Sequence, residues 1–339
     1  MSGGVPAPAC AVGRDRDGGL DVIRISNDVL QLAFLPEVGG RLISLRVAGH
    51  ETLWRNPEFL DGGLRAVRPR GDWPVPDGTM ASWANVGGSK TWPAPQGWSG
   101  PGEWPGPPDA VLDGGTYDAG VALDADGAAR VTLTSPVDDR SGLQVARAVT
   151  LPPVGTGFTQ VSTFSNRSAR TVRWSIWEVA QIDTTPTTGA PGGVLHVAAT
   201  RAGEPLPLIA AYGELGYTVA PDGVEIPAQD AVGKLGFPDA TGRIEWRRAD
   251  GLRLAMDTAR RPDGEYPDGG CPVEVWVQCP VLEPLAGLGG LRPDAHVAEM
   301  EVLSPLATLA PGESTELRID WSCGPPGPTY PPPRTPASR

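Results

Sequence analysis

The sequence is short of the residues that most often carry chemistry. Its 339 residues include 28 basic side chains, of which only two are lysines, with three histidines and four cysteines. His50, His196 and His296 stand far apart, none beside a nucleophile, and no Gly-x-Ser-x-Gly elbow occurs, so a catalytic triad is unsupported. Cys10, Cys271, Cys279 and Cys323 show no metal-ligand spacing. Cys271 and Cys279 fall on one extended segment, where eight residues span about 26 Å, whereas a disulfide needs Cα atoms within about 7 Å. A reduced, cytoplasmic protein without metal or cofactor is expected. No apolar run reaches the roughly 18 residues of a membrane helix. The first 20 residues lack the basic start and apolar core of a secretory signal, and no hydrophobic run precedes Pro8-Ala9-Cys10, although that triplet has the form of a lipoprotein cleavage site. No helical apolar period is sustained, which argues against a helix bundle. A net charge of -12 makes nucleic acid and anionic membranes poor partners. Oligomeric state is left open.

What is abundant is turn chemistry. The 45 glycines and 38 prolines imply many short strands joined by tight connections. Strand signals recur at 21–26, 29–35, 41–47, 129–135, 143–151, 158–165, 171–181, 243–248, 252–257, 273–279, 296–303 and 314–321. The expected fold is therefore all-β. Residues 19–323 read as one domain, flanked by Gly/Pro-rich, disordered tails at 1–18 and 324–339, the latter unable to form a ladder for want of proline N–H donors. Residues 55–110 form a long Trp/Pro-rich insertion, and a structureless loop of that length is usually functional.

The densest part of the insertion is 83–98. It contains Lys90 and lies among six of the chain's eleven tryptophans, Trp54, Trp73, Trp83, Trp92, Trp98 and Trp104. With no strand or helix period, it reads as a loop laid over a sheet, offering flat apolar plates beside hydrogen-bonding groups. That mixture suits a small sugar-like ligand, with Lys90, Trp92, Gln96 and Trp98 as contacts. Gly87-Gly88-Ser89-Lys90-Thr91 has the tail of a phosphate-binding loop but not its leading glycine, so a nucleotide is not expected. Asp124-Ala-Asp126-Gly lacks a full calcium ligand set. Arg41, just beyond the Gly39-Gly40 turn, either pairs with a core carboxylate or faces the ligand.

Three strands each offer carboxylates. Along 172–181, Glu178 alternates with Trp174, Ile176 and Ala180, while Trp177 and Gln181 take the other face. Along 273–279, Glu274, Trp276 and Gln278 oppose the valines. Along 296–303, Glu299 and Glu301 share a face, about 7 Å apart. Acid–base chemistry needs two groups whose surroundings drive their pKa values apart, and Glu178 is expected in apolar surroundings that raise its own. The alternative for any strand glutamate is solvent or a neighbouring arginine.

In order, Leu35-Pro-Glu-Val-Gly-Gly-Arg-Leu-Ile-Ser-Leu45, Asn85-Val-Gly-Gly-Ser-Lys-Thr-Trp-Pro-Ala-Pro-Gln96, Trp174-Ser-Ile-Trp-Glu178 and Glu299-Met-Glu-Val-Leu-Ser-Pro-Leu306 resemble the DUF4380 group of the galactose mutarotase-like superfamily, over roughly residues 20–322. The resemblance implies a β-supersandwich with a ligand cleft on the concave face of one sheet. It implies a late-strand glutamate as base, matching Glu301 with Glu299 as alternative. The superfamily's acid histidine has no counterpart in 174–181, where Glu178 or Trp177 stands instead. The expected function is a carbohydrate-active enzyme of aldose 1-epimerase type. Glu301 would take the anomeric proton, Glu178 would protonate the ring oxygen, and Lys90, Trp92, Gln96, Trp98, Trp177, Trp276 and Gln278 would line the pocket. The alternatives are a non-catalytic sugar or metabolite binder, and a biosynthetic isomerase, cyclase or lyase acting on a non-sugar.

Overall fold

The computed structural model describes residues 8–97, 99–186, 192–201 and 203–325. They form two antiparallel sheets packed face to face. The larger runs in the order Ala11–Asp15, Val22–Ser26, Leu30–Leu35, Arg41–Val47, Ser89–Ala94, Val172–Asp183, Val297–Leu303, Val273–Gln278, Val232–Phe237 and Leu206–Tyr212. The smaller one centres on Leu143–Leu151, Gly157–Asn166 and Ser314–Gly324. Its strands alternate buried and partly exposed residues, as in Gly157–Asn166, because only one face meets the core. The main core lies between the sheets, where Val145, Phe164, Ile176, Met300 and Val302 pack together.

The middle of the large sheet is built differently. Ser89–Ala94, Val232–Phe237 and Val273–Gln278 are buried at every position, so the outer face is covered as well. Over the N-terminal strands the cover comes from the insertion, with Phe59, Leu60, Leu64, Trp73 and Val86 packed on Val22, Leu35 and Ile43. Over the C-terminal strands, Trp276 packs with Val232 and Cys279 against Leu285, Leu288 and Leu291. The two covers meet: a Cβ placed on Gly289 would lie 3.2 Å from Met80 Cγ.

Two expectations are corrected here. Residues 11–15, assigned to a disordered tail, form an edge strand paired with Val22–Ser26, and Arg14 anchors it to Asp21. Residues 89–94, assigned to a loop, form a central strand. Burial on both faces removes the polar alternation by which a strand is recognised, and Lys90 further disguises it. Pro93 is tolerated because Arg41–Val47 pairs with this strand only at Ser89.

Candidate functional site

The register decides which side chains meet. Lys90 and Val179 are paired neighbours, as are Val179 and Glu301, and Glu301 and Glu274, so these four cross the sheet in one row. Beside it runs a second row of Gln181, Glu299, Trp276 and Lys234. Trp92 and Trp177 are paired neighbours on the same face. Both lysines of the chain and three glutamates therefore share one patch of the outer face.

Lys234 lies between two carboxylates, 2.9 Å from Glu301 and in ion-pair contact with Glu274 at 2.5 Å. Its ammonium stands 4.4 Å above the Trp177 ring, whose Nε1 donates to Glu301 Oε2 at 2.6 Å. Burial pulls the Lys234 pKa down, but Glu274 and Glu301 more than offset it and the net shift is upward. Burial raises Glu274 well above the usual carboxylate range and raises Glu301 too, against the pull of Lys234. Among the described residues neither oxygen of Glu274 accepts an aligned hydrogen bond, and Glu301 Oε1 is also without one.

Lys90 is held differently. Its ammonium lies 3.5 Å from Glu299 Oε1, 4.6 Å from the Trp92 ring centre and 5.5 Å from that of Trp83, yet makes no hydrogen bond among the described residues. Burial brings its pKa down to about 8, and Glu299 only partly opposes the fall. The preceding Gly87 and Gly88 have φ of 95° and 79°. A Cβ on them would strike Trp54 O at 2.3 Å and Leu42 O at 2.5 Å. The glycines thus let the chain enter the sheet at the point that aims Lys90 outward. Arg41, buried behind them, pairs with Asp113 and donates to Gly87 O at 3.0 Å. Its place is a wall of the site, with Trp83 Nε1 donating to the same Asp113 at 2.9 Å.

Solvent reaches only part of the patch. Glu274 and Glu301 are fully buried, whereas the side chains of Glu299 and Lys234 are 13% and 11% exposed and Trp276 is 9% exposed. Glu299 Oε1 accepts from Gln181 Nε2 at 2.7 Å, and Oε2 carries no hydrogen bond among the described residues. Trp276 Nε1 donates to Gln278 Oε1 at 3.1 Å, which holds the indole beside the rim. A ligand approaching this face meets Glu299, Trp276 and Lys234 in line, the outer two separated by two strand spacings, about 10 Å between Cα atoms.

Glu178 is not part of this patch. Its paired neighbour Thr91 and its own parity turn it to the inner face, between the sheets. There Arg147 donates to Oε1 at 2.8 Å and Gln160 to Oε2 at 2.7 Å, with Ser89 and Thr91 hydroxyls completing the shell. An acid–base pair of Glu178 with Glu301 is ruled out, because the sheet itself separates them. Gln96 is exposed, donates to Gly106 O at 2.6 Å and lies outside the cluster. Trp98 is outside the described residues. Sequence reasoning did not select Lys234; its signal was that it is the only other lysine of the chain.

No protein-family model and no curated protein sequence matches the chain. Solved structures do match. A galactose mutarotase-like protein from Lactobacillus casei superposes with a TM-score of 0.52 at 13% identity, over 89% of this chain and 100% of that one. A putative mutarotase from Salmonella typhimurium gives 0.55 at 13% identity, over 92% and 93%. A TPR-domain containing protein from Parabacteroides distasonis gives 0.57 at 13% identity over 98% of this chain, which spans only 56% of that longer protein. At these identities the likeness is one of architecture, and the chain has the galactose mutarotase-like β-sandwich fold.

Proposed function

We propose that this protein is a carbohydrate-active enzyme of aldose 1-epimerase type, within the DUF4380 group that its Gly-Gly-Ser-Lys-Thr-Trp-Pro-Ala-Pro-Gln motif resembles. The observation that carries the reading is the solvent-reaching row Glu299–Trp276–Lys234. A pyranose laid on the Trp276 edge presents its C–H face to the indole and its hydroxyls to the groups on either side. Glu299 Oε2 takes the anomeric hydroxyl proton while Lys234 gives a proton to the ring oxygen, so the C1–O5 bond breaks and a C1 aldehyde forms. Lys234 regains its proton from the buried Glu274–Glu301 pair, whose burial makes these carboxyls hold protons more tightly than exposed ones. Rotation about C1–C2 and the reverse proton transfers close the ring as the other anomer. Glu301 thus moves from the proton-accepting role expected for it to holding and recharging Lys234, and Gln278 positions the plate.

Polarimetry on freshly dissolved α-D-glucose and α-D-galactose tests this. The protein is expected to accelerate mutarotation, and Glu299→Gln and Lys234→Met to lose at least about 100-fold of it. Saturable sugar binding without acceleration would leave a non-catalytic binder. Absence of both sugar binding and acceleration would point to a non-sugar ligand.

A further inference from the structure

Lys90 is unused by the proton transfers above, although among the described residues its amine is a buried charged group without a hydrogen-bond partner. Its side chain is buried, its amine makes no hydrogen bond to any described residue, and a carboxylate lies 3.5 Å away. Two of its neighbours, Glu299 and Trp83, are partly exposed, so the amine lies one side chain beneath the surface. A lysine that only braced the fold would be expected to spend its three donors on carbonyls or carboxylates, as Arg147 does with four acceptor residues on the other face of the sheet.

We propose that Lys90 is a nucleophilic amine that captures the aldehyde of an open-chain sugar as an imine. The choice of an aldose rests on the reading in the preceding section, in which ring opening leaves a C1 carbonyl beside Glu299. The Nζ lone pair adds to C1, and Glu299, protonated in the opening step, delivers that proton to the carbonyl oxygen. The resulting carbinolamine loses its hydroxyl as water, taking a proton that the nitrogen releases through Glu299. A C=N bond and one water are formed, and hydrolysis reverses the sequence with no external oxidant or reductant. A desolvated lysine next to a carboxylate is the arrangement such chemistry needs. A fall from 10.5 to about 8 raises the neutral fraction of the amine at pH 7 roughly 300-fold over an ordinary lysine. The charged groups facing it are Glu299, which favours the ammonium, Arg41, which opposes it, and Asp113, which favours it.

The chain's two lysines make the test clean. The whole protein is incubated with D-glyceraldehyde, a triose that does not close into a pyranose, and sodium cyanoborohydride, then mapped by peptide mass spectrometry. Lys90 is expected to carry the reduced adduct at least about tenfold faster than Lys234, with a rate that rises to about pH 8 and then levels. Labelling confined to Lys234 or the α-amino group, or a Lys90 rate still climbing beyond pH 10, would overturn the proposal. Because wild-type protein is mapped, the result does not depend on Lys90 variants folding. Lys90 labelling without sugar mutarotation would keep the nucleophile and discard the aldose reading; mutarotation without Lys90 labelling would do the reverse.

Discussion

Glu178, paired with Arg147 of the opposing sheet, and the Lys90–Lys234–Glu274–Glu299–Glu301 patch lie on opposite faces of the larger sheet and are finished to different degrees. Glu178 receives hydrogen bonds from four side chains, and Arg147 uses both terminal nitrogens, leaving only Nε without a partner. Among the described residues the outer patch leaves Lys90 Nζ, Glu301 Oε1, Glu274 Oε1 and Gln181 Oε1 buried without a hydrogen-bond partner. Desolvating a polar group without a partner is costly, so a fold that needed only rigidity would not accumulate such groups on one face. The inner pair reads as architecture, and the outer patch as a surface waiting for a polar ligand.

Breaking the inner pair should have the largest effect. Glu178→Ala leaves the Arg147 guanidinium buried without its carboxylate, and a loss of about 3–5 kcal/mol is expected in urea unfolding. A loss below 1 kcal/mol would mean that the two clusters do not differ as argued. Lys234→Met comes next, at about 2–3 kcal/mol near pH 7, and its pH dependence distinguishes it. Glu274 and Glu301 already bind protons more tightly folded than unfolded, so their contribution to stability declines as pH rises from the unfolded carboxylate range near 4.5 through their folded pKa values. Without the ammonium these values rise further. The deficit of Lys234→Met should therefore shrink toward pH 4.5, and a constant deficit between pH 4.5 and 8 would contradict the shared-proton picture.

How much of this could be read in advance depended on burial. Strands with one solvated face, such as Leu143–Leu151, show their alternation plainly. Ser89–Ala94 and Val232–Phe237 are covered on both sides, so neither polarity nor period marks them, and Lys234 passed unnoticed in Val-Gly-Lys-Leu-Gly-Phe. Parity along a strand was legible, which is why Glu274, Trp276 and Gln278, or Glu299 and Glu301, could be grouped. Which parity faces outward was not legible for Val172–Asp183, since Trp174 and Ile176 on one side and Trp177 and Val179 on the other are equally buried. Glu178 was assigned to the cleft for that reason. A carboxylate's face on such a strand is set by partners distant in sequence, here Arg147 and Gln160, that no local pattern announces.

Within the outer patch the expected effects on stability are smaller and partly of opposite sign. Lys90 has a folded pKa of about 8, below its unfolded value, so its charge opposes folding at every pH below about 8 and the penalty disappears as pH rises toward 10.5. Lys90→Met should therefore gain about 1–2 kcal/mol over wild type at pH 7 and lose that advantage by pH 10.5. Destabilisation at pH 7 would return Lys90 to the architectural class. The smallest change is expected for Glu299→Gln, within about 1 kcal/mol, because the side chain is partly solvated and the amide can still meet Gln181. Lys90 should answer the loss of its carboxylate by giving up its proton rather than by unfolding the site. In Glu299→Gln the pH at which Lys90 labelling levels off should accordingly fall below 8, while mutarotation is lost. An unchanged labelling profile would show that Glu299 and Lys90 are neighbours without being coupled, and the patch would no longer act as one unit.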